Sequence, residues 1–346
     1  MKNRRFILGF LATLATIALL GVLPQAGKAQ SSPPELFAGR TINFLIGFGP
    51  GGANDVWARA IARHMAKFIP GNPTIIPQNF PGAGGLRLMN ELYNVSVKDG
   101  TVIGLVNRGL PFEPLLGGAN VRFDPLKMNW IGSPDRDITV CAARKDAQVQ
   151  TMNDLFSKPV VVGATGYGAD TAIYPQFLSE LLGMKFKIIQ GYAGSKEISL
   201  AMERGEVEGI CVAYESLLRQ NLAREGKVNI LFQAALQADP RLKDVPIGTD
   251  LARSEKDRAI LKLFFARVAV GRPIVAPPGM DADRVTALRK AFDQTMRDPA
   301  FLAEAKAQDL TVDAISGEEI AGVIAETYKS PADVVKQAAE ILGHMK

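Results

Sequence analysis

Apolar residues along this chain fall into two periods. Short runs rich in Ile, Val, Leu and Phe occur over residues 42–46, 74–77, 101–106, 139–143, 160–164, 186–189, 209–212 and 228–233. Each is bounded by Gly, Pro, Asn or Asp, which predicts strands. Between them the spacing turns helical. Val56, Trp57, Ile61, Met65 and Phe68 lie near one side of a helix, with Asn54 and Asp55 placed to cap its start. Further helices are predicted over 86–93, 111–116, 171–182, 195–204, 214–223 and 281–296. Pro175 falls near a first turn, Gly183 and Gly205 are placed to end helices, and Asp281 is a candidate N-cap. More helix runs to about residue 342, with Gly343 as its stop, and 120–130 reads as irregular.

Strands alternate with helices, which predicts α/β architecture with mostly parallel sheets. A middle unit interrupts an outer one. The expected lobes are 30–137 plus 232–346, and 138–231, with the strand over 228–233 returning toward the outer unit. Two lobes joined by two crossings make a hinge, and a ligand would sit between them.

The stretch 41–68 organises the chain: a strand, the glycine loop Gly47-Phe48-Gly49-Pro50-Gly51-Gly52, then a helix start. Residues 79–85 repeat the design, with Asn79-Phe80-Pro81-Gly82-Ala83-Gly84-Gly85 leading into the second helix. Such a turn aims unpaired N–H groups and the positive helix end at whatever lies above it, so it traps anions. The third strand ends in a polar tip, Asn107-Arg108-Gly109, and Arg108 or Arg136 could pair with a ligand carboxylate. Tyr167 and Tyr192 stand in glycine loops after strands, where α/β clefts bind ligands. Tyr174 lies within a helix and reads as core; Tyr214 fits either role.

The amino terminus supplies an address. Lys2, Arg4 and Arg5 precede an apolar run over 6–22, and Gly27-Lys28-Ala29 offers small residues before a cut. This is a cleavable signal peptide over 1–29, with Arg4-Arg5 a weak sign of twin-arginine export. Cleavage would leave 317 of the 346 residues, enough for two lobes. The formal charge of +5 includes four basic residues of that leader, leaving +1 in the mature chain. Nothing there argues for nucleic acid. Cys141 and Cys211 both sit in apolar, strand-like contexts and read as buried thiols, although an exported chain could join them. Two histidines, His64 and His344, and two distant cysteines make no metal site. The pattern Gly47-x-Gly49-x-x-Gly52 lacks the acidic residue a dinucleotide site needs after the next strand, which ends at Gln78-Asn79. The loop over 163–170 lacks the Lys-Ser/Thr of a triphosphate site, and no Gly-x-Ser-x-Gly elbow occurs. No cofactor and no catalytic residue is expected.

At these loops the chain resembles a known family. Phe48-Gly49-Pro50-Gly51-Gly52-Ala53-Asn54-Asp55 resembles the F-x-P-G-G-x-x-D opening of the Bug proteins, extracytoplasmic solute receptors of tripartite tricarboxylate transporters. Residues 79–85 resemble their N-x-P-G-A-G-G loop, and 121–126 the approach to their first crossing. Gly191-Tyr192-Ala193-Gly194 with Gly205-Glu206-Val207-Glu208, and Val275-Ala276-Pro277-Pro278-Gly279, are similar to further family segments. The resemblance implies a two-lobed periplasmic-binding-protein (Venus flytrap) type 2 fold, closing on a small organic carboxylate held by loop amides. It implies a periplasmic, monomeric receptor that serves a membrane permease. Carried over by motif, the first-lobe contacts are Phe48, Gly52, Ala53, Asn54 and Asp55, with Ala83 and Gly84 nearby. In the second lobe the loop holding Thr165, Tyr167, Ala169 and Asp170 stands where the family often shows S-P-H, and the segment 211–214 lacks the family's acidic residue. Both departures imply a larger or more aromatic pocket. The alternatives are an exported α/β enzyme acting on small carboxylic acids, which would need a titratable group and a nucleophile in the cleft, and a ligand-sensing subunit of a signalling system.

Overall fold

The computed structural model describes residues 36–344 apart from 137, 166–168 and 193. The leader read over 1–29 lies outside the described residues. In chain order the elements begin with β1 (Thr41–Ile46), α1 (Ala53–Met65), β2 (Thr74–Asn79), α2 (Leu86–Asn94), β3 (Val102–Leu105) and β4 (Asn129–Ser133). Next come β5 (Thr139–Arg144), β6 (Val160–Gly163), α3 (Asp170–Leu182), β7 (Phe186–Ile189), α4 (Ser195–Glu203), β8 (Gly209–Ala213), α5 (Tyr214–Arg219) and β9 (Val228–Ala234). The chain closes with α6 (Glu255–Phe265), β10 (Ile274–Ala276), α7 (Ala282–Thr295), α8 (Pro299–Ala307), β11 (Ile315–Ser316), α9 (Gly317–Thr327) and α10 (Ala332–His344).

Two sheets result, in the orders β11-β4-β10-β3-β1-β2 and β7-β6-β8-β5-β9. They are mixed, not mostly parallel. β1, β2 and β3 run together, as do β6, β7 and β8. β10 opposes β3 and β4, β11 opposes β4, and β5 opposes β8 and β9. The crossings explain this. β4 leaves the first sheet at the end where β1 to β3 finish, so β5 enters the second sheet at its C-terminal end and must run backward. The return does the same to β10. Both sheets therefore turn their strand C-termini, and the loops that follow them, toward the crossings.

Several expectations are corrected here. Val228–Ala234 does not return to the outer unit; it pairs along its length with β5. The segment read as irregular ends in β4, whose Trp130 is buried. Beyond α7 the tail divides into three helices, α8 to α10, and Gly343 lies inside α10 rather than ending it. Cys141 and Cys211 are bonded rather than free. They face each other in register on β5 and β8 with Cα atoms 4.0 Å apart, as close cross-strand antiparallel pairs are.

Burial follows the predicted periods. Ile42, Phe44 and Ile46 alternate inward on β1, and Trp57, Ile61 and Met65 face the core from α1. On the second sheet's side, Phe177 of α3 stacks on Phe264 of α6 with ring centroids 3.8 Å apart. α10 packs on both helices.

Candidate functional site

A cavity of about 210 Å³ opens where the two sheets' loops meet. From the first sheet come Phe48 and Asn54, around the start of α1, and Val106, Asn107 and Arg108, just after β3. From the second come Ala169 and Asp170 at the start of α3 and Ala213 at the end of β8. Gly271 and Arg272, on the return crossing, complete the wall.

Two long helices, α1 and α3, start at this cavity without a side-chain cap, as does the short α5 at Ala213. The N-cap of α1 is Gly52, correcting the expectation that Asn54 or Asp55 would serve, and the N-cap of α3 is Ala169. α6 to α9 do carry caps, from Ser254, Asp281, Asp298 and Ser316, whereas α2 at Gly85 and α4 at Gly194, off the cavity, do not. A helix start lacking a cap leaves N–H donors for water or a ligand.

Asp55 points inward instead. It accepts from the Gly51 N–H at 2.9 Å, Arg59 Nε at 2.9 Å and Asn79 Nδ2 at 2.8 Å. Asn79 Nδ2 also donates to the Phe48 carbonyl at 3.0 Å, so this network fastens the first glycine loop to the end of β2. Burial pushes the Asp55 carboxyl up, but the donors from Arg59, Gly51 and Asn79 outweigh it and hold it below its ordinary range. Ala83 and Gly84 do not line the cavity. Both lie in a left-handed turn, with φ of 47° and 63°.

Charged groups span the site. Arg108 reaches from the end of β3 to donate to Thr139 Oγ1, at the start of β5, at 2.9 Å, and pairs with Asp170. Arg272 pairs with Asp135, and its backbone N–H donates to Ser133 Oγ at 2.7 Å, tying the return crossing to the outgoing one. Gly271 permits that contact. Its φ is +59°, and a Cβ there would collide with the Asp135 carbonyl and Ser133 Oγ. A third guanidinium, Arg267, is buried over the Phe264 ring. Burial pushes the Asp170 carboxyl up, yet Arg108 and Arg267 more than offset this and keep it below the usual carboxylate range. Tyr174 is fully buried one turn further along α3, and burial drives its phenol up to about 12.

Of the sequence-predicted residues, Phe48, Asn54, Asn107, Arg108, Ala169 and Asp170 come together around the cavity. Thr165 instead donates its backbone N–H to Thr171 Oγ1 at 3.0 Å. Tyr192 packs beside Gly163 under the second sheet's loops. Tyr214 is buried beneath the Arg241 guanidinium, 5.0 Å from its ring centre. Arg136 pairs with Glu319 on the surface. Tyr167 lies outside the described residues. Sequence reasoning missed Val106, Ala213, Gly271 and Arg272. The one visible signal for the last pair is the interruption Gly271-Arg272-Pro273 inside the apolar run over 267–276.

Comparison with known proteins follows this geometry. Residues 57–339 match the model of the tripartite tricarboxylate transporter family receptor. A UPF0065 protein encoded in the gbd 5' region of Cupriavidus necator is 24% identical over 347 residues, covering 97% of this chain and 98% of that one. A TctC solute binding protein from Polaromonas, solved without ligand, superposes with a TM-score of 0.68 at 20% identity, covering 86% of this chain and 99% of that one. MatC from Rhodopseudomonas palustris, solved with bound malate, gives a TM-score of 0.61 at 21% identity, covering 86% and 100%. These structures share the two-lobed fold.

Proposed function

Because the chain belongs to the tripartite tricarboxylate transporter receptor family, we propose that it is a periplasmic receptor that captures a small organic carboxylate and delivers it to the membrane permease subunits of such a transporter. The observation that carries this reading is the convergence of two uncapped helix N-termini, α1 at Gly52 and α3 at Ala169, on one cavity between two sheets. Donors aimed from both sides bind an anion without chemistry. A ligand touching both lobes selects their closed arrangement. The malate held by the MatC neighbour is an acid of this kind.

In this reading Phe48, Gly52, Ala53, Asn54, Asn107, Arg108, Ala169 and Asp170 surround the ligand, and Asp55, Ala83 and Gly84 support the loops. The lobes are 30–137 with the later first-sheet elements, and 138 onward through β9. Residues 1–29 direct export. No reaction is assigned: the described residues around the cavity include no serine, histidine or cysteine to act as a nucleophile.

The test is a thermal-shift screen of residues 30–346 against mono-, di- and tricarboxylates, with each mixture assayed afterwards for ligand loss. Ligand at about 100 times its Kd adds about 2.7 kcal/mol to the folded state. A shift with one class and intact ligand is the expected result. Consumption of the ligand would replace the receptor with an enzyme, and no shift with any carboxylate would end the proposal.

A further inference from the structure

Both cations that line the cavity are already matched by the protein's own carboxylates. Arg272 is held by Asp135, and Arg108 by Asp170. The second pair is unusual in its placement. Asp170 is the first residue of α3, so its carboxylate lies at the uncapped positive end of that helix, where an acidic group is favoured. It also meets Arg108 from the other sheet. Its side chain is 32% exposed and stands in the cavity wall. A protein carboxylate therefore occupies the place that a ligand's second carboxylate would take.

We infer that Asp170 makes this receptor select monoanions: one ligand carboxylate at the Gly52 end of the cavity, and a neutral or hydrogen-bond-donating group facing Asp170. This rests on the carboxylate-receptor reading and narrows it. The second lobe's anion site is filled from within: Arg108 and, further back, Arg267 keep Asp170 ionised, and a carboxylate is favoured at the start of α3. A dicarboxylate would set its distal carboxylate beside that of Asp170, and like charges juxtaposed across a contact are disfavoured. An amide, hydroxyl or ammonium in the same place would donate to Asp170 instead. The small volume, about 210 Å³, leaves little room for a diacid to tilt away.

The experiment compares matched pairs of probes by calorimetry on residues 30–346: succinate with succinamate, and adipate with adipamic acid. Each pair differs only at one end, a carboxylate in the diacid and a neutral, hydrogen-bond-donating amide in its partner. The wild type is expected to bind each mono-amide at least about tenfold more tightly than its diacid. Asp170→Asn, nearly identical in shape, is expected to shrink that ratio about tenfold by admitting the diacid. A wild type that binds diacids as well as mono-amides overturns the inference and leaves the carboxylate receptor standing. So does a ratio unchanged by the substitution, including a uniform gain for both probes, which would make Asp170 only a fastening between lobes. Binding of neither probe nor any other carboxylate overturns the receptor reading itself. The wild-type ratio is decisive even if the variant folds poorly.

Discussion

At Ala169, stability and the proposed ligand contact make opposite demands on a single residue. Alanine is among the poorest N-caps, and replacing a good cap with it costs about 1 kcal/mol. Helices α6 to α9 have a capping serine or aspartate at this position, whereas α3 has none. Ala169→Ser should therefore raise stability by about 1 kcal/mol, because its hydroxyl would accept from the first turn of α3. The same hydroxyl would compete with the ligand for those N–H groups. Denaturant melts should show the gain, and titration with the best carboxylate from the screen should show a loss of several-fold in affinity. A variant gaining stability with unchanged affinity would mean that the α3 terminus does not touch the ligand. Residue-level legibility follows the same logic. Asn107 and Arg108 were readable because polar residues at the end of an apolar strand have few structural reasons to be there. Asp55 was misread because its orientation depends on Asn79 and Arg59, and only the fold brings Asn79 beside it. Gly271 and Arg272 acquire their role from a crossing that returns to Ser133 and Asp135, a relation no local pattern reports.

Elements were legible where a period was sustained. The starts and ends of β1, α3 and α7 agree closely with the reading, since strand alternation, Gly183 and the Asp281 cap are local signals. Strand direction was not legible, because pairing is set by which end of a sheet the chain enters. Contacts between helices were hidden as well. α1 and the turn after it are clamped to α8: Arg63 pairs with Glu304, which His64 Nε2 also meets at 2.7 Å, and Lys67 pairs with Asp298 at 2.7 Å. Hydrogen bonding from Arg63, and then from His64, outweighs burial and lowers the Glu304 carboxyl to about 2 from its ordinary 4.5. A carboxyl depressed in the folded state contributes stability above its unfolded value. That contribution is lost as pH falls from about 4.5 toward about 2. Screening of this partly exposed pair limits it to about 1 kcal/mol. Glu304→Gln should be less stable than wild type by that amount at pH 7. Urea melts at successive pH values should show the gap closing below pH ~4.5. A gap independent of pH would assign the loss to packing.

At the scale of the whole molecule, the two-lobed plan was readable from the order of elements, while the way the lobes are held was not. Two connections now stand out. One is the crossing itself, where Arg272 and Gly271 are tied to Ser133 and Asp135. The other is Arg108, which leaves the first sheet and reaches Thr139 and Asp170 on the second. The first lies on the crossing chain and survives a rotation about it. The second bridges the cavity and must break whenever the lobes part. Arg108 therefore biases the ligand-free protein toward closure, and its loss should move the population to open forms. A compact chain of 317 residues should have a radius of gyration near ~20 Å. In solution scattering without ligand, Arg108→Leu should exceed the wild type, and saturating carboxylate should bring the two values together, since a ligand contacting both lobes can replace the lost bridge. Identical ligand-free curves would mean that Arg108 does not set the angle between lobes. A difference that persists at saturation would mean that Arg108 is needed for the closed form itself and not only for its population before the ligand arrives.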